Sequence, residues 1–174
     1  MILVLSASLG SESNSRLLAQ EAVRQLLSEG IEAELIDLRD HPLPPCDGES
    51  AYGHPGVAPL RARIMAAEAL IVATPIYNYD VNSALKNAIE LTGKAWENKP
   101  VAFLCAAGGK SSYMAIMALA NSLMLDFRCL IVPRFVYATG GDFAEGRVVN
   151  PEQVRRIGQL VEATVRLTKL PPLT

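Results

Sequence analysis

The sequence predicts an α/β fold, a three-layer sandwich in which helices cover both faces of a parallel sheet. Short apolar runs alternate with helix-like segments along the chain, and this order is repeated five times. The apolar runs are continuous, as expected for parallel strands that are buried on both faces. At 174 residues the chain is expected to form one domain, residues 1–174, that is large enough to bury a full core.

The first half of the chain contains three predicted strands and two predicted helices. Ser13 or Ser15 can cap the first helix, and Gly30 ends it. The segment 39–56 carries four of the eleven prolines and both histidines, so we expect an irregular loop there. The predicted strands are residues 2–5, 31–38 and 69–74, and the second helix is predicted near residues 57–67.

The second half continues the same alternation. Asn82 or Ser83 can cap the third helix. Pro133 interrupts the fifth strand, because proline cannot donate a hydrogen bond to a sheet. Pro151 suits the first turn of the last helix, which Pro171-Pro172 stops. The predicted elements are a strand at 101–105, an apolar helix at 114–125, a strand at 129–132 that resumes at 135–137, and a helix from 151 to about 169.

Five parallel strands of this kind most often adopt the order 2-1-3-4-5, the flavodoxin-like arrangement. In that order the chain changes direction across the sheet between strands 1 and 3. Ligands of open α/β sheets bind at this switch point, outside the carboxyl ends of the strands. We therefore expect a ligand site at the loops that follow strands 1 and 3.

The composition indicates a folded protein and argues against several kinds of partner. Half of the residues are hydrophobic and 20% are charged, and the formal net charge of -2 gives no reason to expect nucleic acid or an anionic membrane. The three cysteines lack CxxC spacing and the two histidines lack a third ligand, so neither a disulfide framework nor a metal site is expected. The amino terminus lacks a basic leader, and no apolar run approaches the roughly 20 residues that span a bilayer. We therefore expect a cytoplasmic location.

The loop after the first strand has the composition of a phosphate site. Ser8, Ser13 and Ser15 offer hydroxyl groups, and Asn14 and Arg16 stand at the start of the following helix. The unpaired N–H groups and the dipole of a helix N-terminus favour an anion. Neither a Walker loop nor a GxGxxG motif is present. The alternative is an ordinary serine-rich turn with a serine cap.

The loop after the third strand contains residues suited to a flat ring. Pro75 fixes the turn, and Tyr77 and Tyr79 supply aromatic faces. Alternatively, Tyr77 merely closes the core over this strand. Gly108 and Gly109 follow the fourth strand and could let the backbone approach a ligand closely, or could form a plain turn before a helix. Because all three loops lie at the same edge of the sheet, together they suggest a flavin mononucleotide (FMN) site.

Two motifs of this chain match those of a known family. Residues 7–15, followed by Leu17, correspond to G-S-x-R-x-x-S-x-N, and residues 75–87 correspond to P-x-Y-N-x-S-x-P-x-x-L-K-N. The chain thereby resembles the NADPH-dependent FMN reductase family, a flavodoxin-like group that includes quinone and azo-dye reductases. The resemblance covers nearly the whole chain, including the glycine-rich fourth loop.

The resemblance implies a cofactor site, although the chain departs from the family pattern at several positions. Gly10 replaces an arginine that helps to hold phosphate, and Arg16 is available to compensate. Asp80 replaces a serine, which places a carboxylate in the flavin loop, and Asn82 replaces a proline. No catalytic acid, base or nucleophile is expected, because hydride transfer needs none. The expected cofactor-binding residues are Ser8, Ser13, Asn14, Ser15, Arg16, Pro75, Ile76, Tyr77, Asn78, Gly108 and Gly109.

These expectations describe an NAD(P)H-dependent flavin oxidoreductase. NADPH or NADH would pass a hydride to FMN, and the electrons would go on to a small acceptor such as a quinone, an azo compound, a metal ion or free FMN. The apolar helices after strands 3 and 4 favour a dimer, and the resemblance to the family implies a homodimer or a homotetramer. The alternatives are a flavodoxin-like electron carrier for protein partners and a non-catalytic flavin- or nucleotide-binding module. The modest charge and the long serine loop argue against the carrier.

Overall fold

The computed structural model describes residues 1–170, which form one sheet with helices on both faces and a small separate hairpin. The strands of the main sheet are β1 (Ile2–Ser6), β2 (Ala33–Asp37), β3 (Ala69–Tyr77), β4 (Asp80–Val81), β5 (Pro100–Ala107), β6 (Leu130–Ile131) and β7 (Val136–Thr139). The hairpin consists of β8 (Phe143–Ala144) and β9 (Arg147–Val148). The helices are α1 (Asn14–Ser28), α2 (Val57–Ala66), α3 (Ser83–Thr92), α4 (Met117–Phe127) and α5 (Pro151–Thr168).

The order of the sheet confirms the prediction, while the number of strands does not. The strands lie side by side as β2-β1-β3-β5-β6, which is the predicted 2-1-3-4-5. The described part of the chain places seven strands in this sheet and not five. Both β6 and β7 pair with β5, because the strand is broken around Pro133 as its sequence indicated, and β4 adds a short antiparallel partner to β3.

The core lies in two layers, one on each face of the sheet. Leu3, Leu5 and Leu70 belong to the layer that holds α2, α3 and α4. Val4 and Ile71 point to the opposite layer, where they pack with residues of α1 and α5. Burial of both faces explains why the strands are continuous apolar runs. The interior therefore fixes the sheet, and its carboxyl edge is left to carry the polar loops.

The third strand continues beyond its predicted end. Residues 75–77 were predicted as loop, but they extend β3 and then turn back into β4. Asn78 and Tyr79 form the two-residue turn with φ of 52° and 65°. Positive φ at both central positions is the type I′ hairpin turn, usually built from Asn-Gly, and tyrosine at the second position obscures this turn in the sequence. The predicted loop is therefore largely a strand end followed by a tight turn.

The proline-rich segment between β2 and α2 is anchored by one side chain of α3. Asn87 accepts a hydrogen bond of 2.7 Å from the N–H of Cys46 and donates one of 2.9 Å to the carbonyl of Pro44. Short 3-10 turns at Leu38–Asp40 and Ser50–Gly53 interrupt the segment that was predicted to be irregular. The predicted stop of the last helix at Pro171-Pro172 lies outside the described residues.

Candidate functional site

A cavity of about 690 Å³ lies at the carboxyl edge of the sheet, where the loops after β1, β3 and β5 meet. It contains nine of the eleven residues that the sequence predicted for the cofactor site. Arg16 and Gly109 are not among its lining residues. The lining consists of Ser8, Glu12, Ser13, Asn14, Ser15, Pro75, Ile76, Tyr77, Asn78, Ala106, Ala107, Gly108 and Gly140.

The serine loop is organised around the start of α1. Ser13 is the N-cap, and its Oγ accepts a hydrogen bond of 3.2 Å from the N–H of Arg16. The hydroxyls of Ser13 and Ser15 lie 3.0 Å apart, and the Oγ of Ser8 accepts from the N–H of Gly10 at 3.3 Å. Within residues 1–170 the N–H groups of Asn14 and Ser15 find no protein acceptor. Two free donors and the helix dipole thus converge beside serine hydroxyls, an arrangement suited to an anion.

Arg16 is engaged away from the cavity. Its guanidinium forms an ion pair with Asp37 at the end of β2 and donates to the carbonyls of Ser11 and Gly10 at 2.9 and 3.1 Å. Both partners of this ion pair are largely buried. The side chain therefore braces the serine loop against β2, and the loop carbonyls and Asp37 already use its donors.

The buried side chain of Asn82 connects the loop after β1 with β3. Its amide donates a 2.7 Å hydrogen bond to the carbonyl of Ala7, immediately after β1, and its Oδ1 lies 3.2 Å from the hydroxyl of Thr74 in β3. The side chain is 6% exposed. Asn82 is the N-cap residue of α3 by position, as predicted, but its side chain makes no capping hydrogen bond. It joins the two sides of the switch point.

The end of β3 presents one tyrosine to the cavity and turns the next away. Tyr77 lines the cavity and is 58% exposed, whereas Tyr79 is similarly exposed but lies outside the lining. Asp80 is also outside it, and its Oδ1 accepts from the N–H of Val81 at 2.7 Å. The carboxylate that the sequence placed in the flavin loop is thus occupied within the hairpin.

The loop after β5 closes the cavity on the third side. A Cβ added at Gly108 would meet no atom within 4 Å, so packing within residues 1–170 does not require glycine there. Gly109 faces another way, since its carbonyl accepts a 2.5 Å hydrogen bond from the hydroxyl of Tyr137. Beneath this loop Cys105 is fully buried, and burial raises the pKa of its thiol to about 12. The thiol is therefore protonated at neutral pH and is no nucleophile.

Four lining residues were not predicted from the sequence. Ala106 and Ala107 end β5, directly before the two glycines that the sequence indicated. Gly140 comes from the loop after β7, which had been given no role. Glu12 occupies a position of the serine motif at which any residue is allowed, so the motif gave no indication that its side chain lines the cavity. It is exposed and adds negative charge at the mouth of the cavity.

A second cavity, of about 530 Å³, lies on the other side of the serine loop and shares no lining residue with the first. It is mainly apolar and is formed by Leu9, the segment after β2 and the first two turns of α3. None of the predicted site residues lines this second cavity. Among residues 1–170 no cluster of His, Cys, Asp and Glu could hold a metal ion, and no helix is long and apolar enough to cross a membrane.

Comparison with known proteins gives a consistent result. The sequence model described as NADPH-dependent FMN reductase matches residues 1–144. An NAD(P)H-dependent FMN reductase of Pseudomonas aeruginosa is 33% identical over 170 residues, which cover 93% of this chain and 91% of the relative. An NADPH azoreductase of a Bacillus species is 33% identical over 128 residues, 72% of each chain. Among solved structures, the flavoenzyme NAD(P)H:(acceptor) oxidoreductase FerB of Paracoccus denitrificans superposes with a TM-score of 0.81 at 22% identity, over 99% of this chain and 98% of that one. This last likeness confirms the fold.

Proposed function

We infer that this chain, which belongs to the NADPH-dependent FMN reductase family, is an NAD(P)H-dependent flavin oxidoreductase. The observation that carries this conclusion is the cavity in which three loops of one sheet edge meet. Its serine side offers free N–H donors and hydroxyls, and its other sides offer a tyrosine, short side chains and a glycine. FMN has a phosphate at one end and a flat ring at the other, so the residues present fit this group.

We assign the predicted residues to the two ends of the cofactor. Ser8, Ser13 and Ser15, with the first N–H groups of α1, would hold the phosphate. The strand end 75–78 and Gly108 would hold the ring, whose edge needs N–H donors and whose face needs apolar cover. When bound, FMN would supply the redox chemistry, taking a hydride from NADPH or NADH. The chain itself contributes binding, orientation and the exclusion of water.

We propose that a small acceptor takes the two electrons from the same cavity. Relatives carry the names NADPH:quinone oxidoreductase, from Arabidopsis thaliana, and NADPH azoreductase, and these names support a quinone or an azo compound. Both are flat, and both can accept two electrons and two protons. Tyr77, exposed at the rim, is placed to cover such a ring.

The proposal is tested by mixing FMN-loaded protein anaerobically with NADPH in a stopped-flow instrument. Bleaching of the flavin absorbance much faster than that of free FMN with NADPH is the expected result. Subsequent addition of a quinone should restore the absorbance. If the absorbance decays at the rate of the buffer control with both NADPH and NADH, the chain is not a reductase.

We also propose that the chain is a single domain, located in the cytoplasm, that assembles as a homodimer through α4. Asp126 is the only charged residue of α4, and Leu125 is 79% exposed on it. Met117 on the same helix and Met114, three residues before it, are also exposed. Analytical ultracentrifugation should show a dimer that Leu125→Glu dissociates, whereas Leu27→Glu, an exposed leucine on α1, should leave it intact. A monomeric wild-type protein would contradict the assembly.

A further inference from the structure

A third cavity of the described chain lies directly beside the proposed flavin cavity. Its volume is about 550 Å³, within the range of ligand sites. Ala107 lines the flavin cavity and Thr139 lines this one, and the two residues are partners in the pairing of β5 with β7, about 4.8 Å apart. Gly140 and Gly141, consecutive in the chain, likewise face the two cavities. A single extended ligand could therefore occupy both.

Two cations line this neighbouring cavity and have donors to spare. Lys110 makes no ion pair with any of residues 1–170. Arg156 donates from Nε to Glu152 at 2.9 Å, and its two terminal amino groups find no acceptor in the described chain. One guanidinium nitrogen is thus fixed by Glu152, and the other two keep free N–H donors. Two neighbouring donors of this kind can bind an anion that has several oxygens.

The two carboxylates of the cavity are already engaged by groups of the protein. Asp142 accepts from the N–H of Thr139 at 2.7 Å and from the amide of Asn150 at 2.6 Å, so its oxygens organise the turn after β7. Glu152 is shared by Arg155 and Arg156, whose hydrogen bonds hold its pKa at about 2. The lining thus carries two cations and two carboxylates, and the cations keep donors that are free for an anion.

The remaining walls suit a base and a sugar. Tyr113 packs against Phe135 and Tyr137, with ring centroids 4.9 and 5.5 Å apart, and is still 46% exposed, so part of its ring is available to a flat ligand. Gln153 donates from Nε2 to the carbonyl of Tyr137 at 3.2 Å, which fixes the orientation of its amide. Its Oε1 is then a buried acceptor without a donor among residues 1–170. A hydroxyl or an exocyclic amino group of a ligand would satisfy it.

We propose that this cavity binds the 2′-phosphoadenosine end of NADPH while the nicotinamide occupies the adjoining flavin cavity. The inference rests on the proposed function, since it places the second half of the hydride donor. Lys110 and Arg156 contact the 2′-phosphate, Tyr113 stacks on the adenine, and Gln153 accepts from the ribose or the base. The site prefers NADPH to NADH, because NADH lacks the group that the two cations recognise.

The chain supplies a matched control for this assignment. Arg155 and Arg156 are neighbours on α5 and share Glu152, but Arg155 uses both Nε and a terminal nitrogen for that carboxylate and lies outside the cavity. The experiment compares kcat/KM for NADPH and for NADH, with one acceptor, in wild type and in Lys110→Ala, Arg156→Ala and Arg155→Ala. We expect the preference for NADPH to fall about tenfold in each of the first two variants and to persist in the third.

A binding measurement separates this inference from the flavin chemistry. Calorimetry without FMN, with 2′,5′-ADP and 5′-ADP as probes, should show tighter binding of 2′,5′-ADP to wild type and a smaller difference between the two probes for Arg156→Ala. Equal binding of the two probes to wild type, or a nucleotide preference unchanged in all three variants, would overturn the assignment. If wild type reduces FMN equally well with NADPH and with NADH, this inference is overturned and the proposed function stands. If wild type reduces FMN with neither nucleotide, the proposed function is overturned.

Discussion

The side chain of Asn82 joins the carbonyl of Ala7, through a hydrogen bond of 2.7 Å, across the switch point of the sheet. The bond connects the end of β1 with the start of α3, residues that are 75 positions apart in the chain. The two loops on either side of it carry the phosphate and ring ends of the proposed site. Their relative position is therefore fixed by a buried amide that is part of the protein itself, without any ligand.

Replacement of Asn82 by alanine should destabilise the protein and weaken FMN binding together. The carbonyl of Ala7 would lose its buried partner, which costs about 1–3 kcal/mol. We expect urea denaturation to show a loss of this size and equilibrium dialysis to show a higher Kd for FMN. Gln20→Ala, which removes an exposed amide on α1, serves as the control. Unchanged stability of Asn82→Ala would show that the hydrogen bond is dispensable.

The two tyrosines of the β3–β4 hairpin should differ in their effect on FMN. Both are more than half exposed, but only Tyr77 lines the cavity. Aromatic pairs contribute about 0.5–1.5 kcal/mol beyond the area they bury, so Tyr77→Ala should raise the Kd for FMN about three- to tenfold. Tyr79→Ala should leave it within about twofold. Equal effects in fluorescence titrations would show that the hairpin acts as a whole.

Glu12 should oppose the binding of phosphate. Its exposed carboxylate lines the cavity close to the start of α1. Removal of its charge in Glu12→Gln should tighten FMN by a few-fold at low salt, in line with the about 0.2–1 kcal/mol of exposed charge pairs. The gain should vanish near 0.5 M salt and should be absent for riboflavin. Glu29→Gln, at the far end of α1, is the control. A gain for riboflavin as well would mean that the charge acts on the ring.

The Cys105 thiol makes a contribution to stability that is lost in alkali. Burial raises its pKa from 9.0 to about 12, so the folded protein retains a proton that the unfolded chain has released. The contribution is complete below pH 9 and declines by about 1.4 kcal/mol per pH unit as the pH rises toward 12. Between pH 8 and 11 the free energy of unfolding, measured by urea denaturation, should therefore fall more steeply with pH for wild type than for Cys105→Ala. Parallel curves would show that the thiol is solvated.

The sequence predicted the layers, the strand order and nine of the thirteen residues that line the cavity, because each depends on local pattern and on one rule of α/β sheets. Continuous apolar runs identified the strands, and the switch-point rule brought Ser8 and Tyr77 together. The sequence could not predict contacts between residues that are distant in the chain. The partner of Arg16 is Asp37 on a neighbouring strand, and Gly140 enters from a loop after the last strand of the sheet. The β3–β4 turn was missed because Asn-Tyr occupies positions where Asn-Gly is usual.

The most direct test compares the affinities of the protein for FMN and for riboflavin, which differ only in the phosphate. The serine loop and the first N–H groups of α1 are predicted to hold that phosphate. Equilibrium dialysis should therefore give FMN a Kd at least about tenfold lower than riboflavin, and Ser13→Ala should narrow the gap. Equal affinities in wild type would contradict the assignment of the cavity.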